Sequence, residues 1–368
     1  MNDEEFIEWA RSEFGLGDFI NQLKRKNGGH RGAQKDKDFD SGGEHKFILH
    51  PIISEGDTTL IYGGKGTGKT AKAMGMAYAM ALGRNLYDLL KANTPQKVFY
   101  LDTEIGVRGL TARKQSARRV FKLTQNADPP IWFLSERLNL YSDEGRQLVE
   151  NEIAKINAAA PIEETLKFIV IDNLTSAQGA NDTPQGWDLF YTWLMSLKER
   201  GIGVLILFHA NADDSLRGSK MKLINIDNVI YLERPQPDLE GEETSKRQKK
   251  SKADKQPADR SKICMNIVFE NLRNNPYPEA YTTIKLEYSI PDCRWTMLNF
   301  DEYMTSTLSS LSEYCSDEEI AKFYGETPRQ IKELRSKYNI RKNKAPAPKL
   351  IAAAIIGTDI AGEGVENN

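Results

Sequence analysis

The chain has 368 residues but only three cysteines, Cys264, Cys293 and Cys315. They are odd in number and far apart, which argues against a disulfide framework or a zinc site and points to a reducing compartment. No apolar run is long enough to span a bilayer. The first residues, Met1-Asn2-Asp3-Glu4-Glu5, are acidic, unlike the basic start of a signal peptide. The expectation is a cytoplasmic protein with no membrane partner. An excess of positive charge is also missing: 50 Lys and Arg against 52 Asp and Glu leave a net charge of −2. Any nucleic-acid site must therefore be a local patch. Hydrophobic residues make up 39% and charged residues 28%, a composition that can bury a core, and the length suits one large α/β domain with smaller appendages.

What the chain does contain is Gly63-Gly64-Lys65-Gly66-Thr67-Gly68-Lys69-Thr70. The segment fits G-x-x-x-x-G-K-[ST] without departure, follows the apolar run Thr59–Tyr62 and precedes a helix-compatible stretch, Ala71–Leu82. Strand, Gly-rich loop and helix in that order form a phosphate-binding context. The glycines allow backbone N–H groups to turn toward a polyphosphate, and the helix N-terminus adds its positive end. In this reading Lys69 pairs with the β- and γ-phosphates and Thr70 ligates Mg²⁺.

Residues 1–46 read as a helical arm and a linker. Phe6, Trp9, Ala10 and Phe14 share one helical face, which has to be buried against this chain or a neighbouring subunit. Residues 47–300 alternate strand and helix patterns, which predicts an α/β fold with a mainly parallel central sheet covered on both faces. Its later strands follow one another without helices, so that edge is expected to be antiparallel. A flexible insertion spans 235–262, with eight Lys or Arg and two acidic residues between Lys246 and Lys262. It reads either as a solvated hairpin tip or as a nucleic-acid contact.

Residues 301–344 are expected to form a small helical domain resembling a helix-turn-helix. Ser316 to Glu319 and Thr327 to Gln330 have capping-box spacing, and Pro328 sits at a first helical position. Ile331 and Leu334 face inward, leaving Arg329, Lys332 and Arg335 outward. That pattern suits DNA binding or docking of a protein partner. The remainder, 345–368, reads as a flexible tail.

Four further positions carry chemistry. Glu104 follows the strand Val98–Leu101 and would orient the attacking water, with Asp102 a competitor that reads better as a strand-end partner. Asp172 closes the apolar run Phe168–Ile171 and would hold Mg²⁺. His209 closes Val204–Phe208, where a polar side chain can sense the γ-phosphate and relay its loss to the loop beyond. In that loop Arg217, Lys220 and Lys222 could follow a strand's phosphates. Arg273 follows a late strand, and in a ring it could reach the triphosphate of the next subunit.

This ordered set resembles the RecA-type ATPase core, especially that of ring-shaped plasmid replicative helicases. The likeness covers about residues 50–290 and rests on Gly63–Thr70, Glu104, Asp172, His209, Arg217-Gly218-Ser219 and Asn271-Leu272-Arg273. It departs from the family pattern where Phe208 precedes His209 in place of a second histidine, and where Asn271 replaces the usual Lys. The basic insertion is not part of the shared core. The resemblance implies Mg²⁺-dependent ATP hydrolysis, assembly into a ring homo-oligomer such as a hexamer, and single-stranded DNA at the ring's centre. Related cores also serve as regulatory switches and as recombination factors.

Overall fold

The computed structural model describes residues 46–50, 52–86, 90–92, 94–159, 165–179, 183–211, 225–235, 262–273, 281–289, 294–324 and 326–341. The N-terminal arm, most of the basic insertion, the loop with Arg217, Lys220 and Lys222, and the tail lie outside these residues.

A short hairpin, β1 (Phe47–Leu49) and β2 (Ile53–Ser54), precedes the main sheet. That sheet begins with β3 (Thr58–Gly63) and continues through β4 (Val98–Asp102), β5 (Ile131–Ser135), β6 (Phe168–Asp172), β7 (Gly203–His209), β8 (Asn228–Glu233), β9 (Lys262–Leu272), β10 (Ile284–Ser289) and β11 (Arg294–Met297). The helices are α1 (Lys69–Leu82), α2 (Gly106–Val120), α3 (Asp143–Ala158), the single turn α4 (Leu174–Ala177), α5 (Pro184–Glu199), α6 (Phe300–Tyr314), α7 (Asp317–Tyr324) and α8 (Pro328–Lys337). Sheet order is β11-β10-β9-β8-β3-β7-β6-β4-β5. Strands β3 to β8 pair in parallel, and β9, β10 and β11 add an antiparallel edge.

The sheet is buried on both faces because β4, β6 and β7 are apolar at every position before the last, so alternation sends each set of side chains into a different core. Val98, Tyr100, Phe168, Val170, Leu205 and Leu207 join the core containing α1. Phe99, Leu101, Ile169, Ile171, Ile206 and Phe208 join the one containing α3 and α5. Local signals set the helix starts: Ser142 and Thr183 cap α3 and α5 by accepting the N–H groups of Gly145 and Gly186.

The C-terminal helices open with reciprocal caps. Ser316 Oγ accepts the Glu319 N–H while the Glu319 carboxylate accepts the Ser316 N–H, and Thr327 and Gln330 do the same at α8. Tyr303, Leu308, Leu311, Ile320, Phe323 and Ile331 pack into the same core as α1, β1 and β2. The Phe323 ring lies edge-on to Tyr281 and His50, and Lys91 is ion-paired with Glu326. One expectation is overturned here. Arg335, read as an outward cation, is buried, with its guanidinium 3.2 Å from the Asp317 carboxylate, itself buried. The α7–α8 contact turns Arg335 inward, whereas Arg329 and Lys332 remain exposed.

Removing one member of a buried ion pair strands the other, which typically costs about 3–5 kcal/mol. Asp317→Ala should therefore lower stability by roughly that amount in urea denaturation, while Lys332→Ala on the exposed face should leave it unchanged.

Candidate nucleotide site

The P-loop bridges β3 and α1 and depends on glycine at two points. A Cβ on Gly63 would lie 2.5 Å from the Leu232 carbonyl oxygen on the neighbouring strand β8. Gly68, the N-cap of α1, has φ +85°, a conformation that side-chain-bearing residues rarely adopt. Lys69, buried at 6% exposure, folds back so that its Nζ donates to the carbonyls of Gly63 and Gly64, both at 2.8 Å. Burial pulls the Lys69 ammonium down to about 8, against the attraction of Asp172 and Glu104 and with help from the repulsion of Arg234. At neutral pH it stays mostly charged.

Parallel pairing places the other groups beside this loop. Gly63 is in register with His209, and Asp102 with Asp172, so all of them end at the carboxyl edge of the sheet, where open α/β sheets bind ligands. Thr70 Oγ1 donates to Oδ1 of Asp172 at 3.1 Å, and the Tyr100 hydroxyl donates to Oδ2 at 2.7 Å. Burial raises the Asp172 carboxyl to about 6, opposed by these two hydrogen bonds and assisted by the charges of Asp102 and Glu104. A hydroxyl and a carboxylate meeting beside a P-loop form the hard oxygen set that Mg²⁺ takes alongside phosphate oxygens. The residues present therefore fit a Mg²⁺-nucleotide.

Asp102 does not face the loop. Its Oδ1 accepts the backbone N–H groups of Glu104 and Ile105, and its Oδ2 accepts Ser135 Oγ. It thereby shapes the turn that projects Glu104. The Glu104 carboxylate is 43% exposed, accepts a hydrogen bond from Asn173, and lies 3.5 Å from His209 Nε2. Arg273 is not brought to this cluster. Ile267 pairs with Leu232, which pairs with Gly63, and Arg273 lies six residues further along antiparallel β9 and its exit. At about 3.4 Å per residue it sits roughly 20 Å away, toward the opposite edge of the sheet. There its N–H donates to the Asp227 carbonyl.

Three participants were missed in the sequence. Tyr100 reads in the sequence as part of an apolar strand. Arg234, just past β8, donates to the Lys65 carbonyl at 2.7 Å, and a single arginine after a strand carries no signal. Asn173 had one, since its place before Leu174-Thr175-Ser176 is that of an N-cap, and its Oδ1 does accept the Ser176 N–H at 2.9 Å.

Residues 34–215 match the family model described as AAA domain. No curated protein matches the chain. Among solved structures, a KaiC-like protein from Pyrococcus horikoshii OT3 aligns at 16% identity over 68% of this chain and 93% of that one, with a TM-score of 0.43. A second solved structure, described as an ATPase domain, aligns at 15% identity over 66% of this chain and 86% of that one, with a TM-score of 0.44. The match to an AAA domain, the mainly parallel sheet and the P-loop geometry together define an α/β fold with a P-loop nucleotide site. Among the described residues, no helix is long and apolar enough to cross a membrane.

The Asp172 shift predicts a pH effect in the nucleotide-free protein. The unfolded chain releases this proton near 3.8 and the folded chain near 6. Between those values the folded state holds more protons, so raising the pH through the window costs stability. Asp172→Asn, which cannot ionise, should be more stable than the parent at pH 7 by ~1–3 kcal/mol. In urea titrations across pH that advantage should shrink as the pH falls from about 6 and disappear below about 4.

Proposed function

We propose that the chain is a Mg²⁺-ATP-dependent nucleic-acid motor, in its most specific form a hexameric replicative DNA helicase of a plasmid, phage or other mobile element, working in the cytoplasm. The observation that carries this reading is the convergence of Lys69, Thr70, Asp172, Glu104 and His209 at one sheet edge, with Arg273 held at the opposite one. In this reading Arg273, which lies away from its own chain's P-loop, supplies a cation to the γ-phosphate bound by a neighbouring subunit.

In the mechanism, Lys69 exchanges the carbonyls of Gly63 and Gly64 for β- and γ-phosphate oxygens. Thr70 and Asp172 would hold Mg²⁺, which when bound offsets the charge on the phosphates. Glu104, fixed by the turn that Asp102 caps, accepts a proton from the attacking water through its solvent-facing oxygen. His209, at the end of β7, senses the γ-phosphate, and the loop that follows, carrying Arg217, Lys220 and Lys222, would contact a single DNA strand in the ring's centre. Arg329 and Lys332 offer a second cationic face for DNA.

A second reading gains weight from the burial of Arg335, which thins the basic face of α8. In it the chain is an ATPase switch acting through a protein partner of α6–α8. A recombination or replication accessory factor that does not unwind DNA forms a third.

ATP turnover at low salt, with and without single-stranded DNA, tests the motor reading. Turnover should rise several-fold with DNA, fall back as salt is raised, and drop at least ~100-fold in Lys69→Ala. Turnover indifferent to DNA would defeat the motor reading and favour the switch. Arg273→Ala should lower kcat by at least about tenfold with little change in nucleotide affinity. Activity should return in part when that variant is mixed with Lys69→Ala subunits, because each then supplies what the other lacks. Failure of the mixture to recover would remove Arg273 from a role between subunits.

A further inference from the structure

Asn173 directly follows Asp172 and is buried at 2% exposure. Its side chain is held at both ends. Oδ1 accepts the Ser176 backbone N–H at 2.9 Å. Nδ2 donates to Oε2 of Glu104 and lies 3.1 Å from Nε2 of His209. The cap fixes which end of the amide is which, because only the oxygen can meet a backbone N–H. The NH₂ group therefore faces Glu104 and His209. An amide nitrogen offers no acceptor, so the contact with His209 is a hydrogen bond only if Nε2 is bare and the ring proton resides on Nδ1. The opposite arrangement, with Nε2–H aimed at Glu104, would rely on a 3.5 Å separation and would press that hydrogen against those of the amide.

We propose that Asn173 is a positioning residue for the hydrolytic site. One amide clamps one oxygen of Glu104, leaves the other for water, and fixes His209 as the Nδ1–H tautomer. Glu104 and His209 are then coupled, since both are held by the same NH₂ group. A hydrogen bond from neutral His209 to a phosphate oxygen has to come from Nδ1–H as long as the clamp is closed. The catalytic part of this inference rests on the ATPase reading, whereas the tautomer does not.

The chain has four histidines, His30, His45, His50 and His209, so nitrogen NMR of histidine-labelled full-length protein at mildly alkaline pH can resolve the rings. The His209→Gln variant assigns the His209 resonances. In the parent, His209 should show a protonated Nδ1 and an unprotonated Nε2. Asn173→Ser keeps a side-chain oxygen for the cap of α4 but lacks the NH₂ group. In it His209 should move to the Nε2–H form that a free ring prefers, and kcat should fall by about tenfold or more with KM for ATP little changed. An Nε2–H tautomer in the parent, or an Nδ1–H tautomer unaltered in Asn173→Ser, would overturn the clamp. A parent protein that turns over no ATP would defeat the ATPase reading and leave the NMR result to decide the clamp alone.

Discussion

The site depends on the in-register parallel pairing of β3, β7, β6 and β4. Each is an apolar strand whose last residue is glycine, histidine or aspartate, and pairing them in parallel brings those ends to one edge. A shift of one residue in any strand would turn its side chains to the opposite face. That shift would be resisted by two cores at once, because alternate residues of β4, β6 and β7 enter the α1 core and the α3–α5 core. The precision of the polar cluster thus derives from apolar packing on both sides of the sheet.

Burial at the edge works against the charges of Lys69 and Asp172. For both Lys69 and Asp172 the cost of leaving water is the largest influence and exceeds the help they receive from neighbours. Lys69 is left to two loop carbonyls, and Asp172 to a tyrosine and a threonine hydroxyl. Such neutral partners satisfy hydrogen bonds without neutralising charge. A Mg²⁺-polyphosphate presents both signs of charge to the groups that need them.

Much of this was legible in the sequence because it is written in local patterns. The P-loop, the apolar strands ending in Asp172 and His209, and the antiparallel late edge all follow from runs of adjacent residues. The caps at Ser316 and Thr327 have fixed spacing and were equally visible. What could not be read depended on long-range packing. Hairpin β1–β2 and strand β11 are too short to show a period. Arg335 sits at a position that looks solvent-facing on an isolated helix, and only the approach of Asp317 buries it. Tyr100 reads as one more strand aromatic, and only the pairing of β4 with β6 brings its hydroxyl to Asp172. Asn173 could be read as a cap, but the approach of Glu104 and His209 to its other end comes from two other strands.

We propose that these groups are assembled for a Mg²⁺-nucleoside triphosphate. A crystal structure with Mg²⁺ and a non-hydrolysable ATP analogue tests it most directly. The phosphates should lie in the P-loop, with Lys69 Nζ released from the carbonyls of Gly63 and Gly64 onto phosphate oxygens and Mg²⁺ beside Thr70 and Asp172. An analogue bound elsewhere, or a Lys69 still held by those carbonyls with nucleotide present, would contradict it.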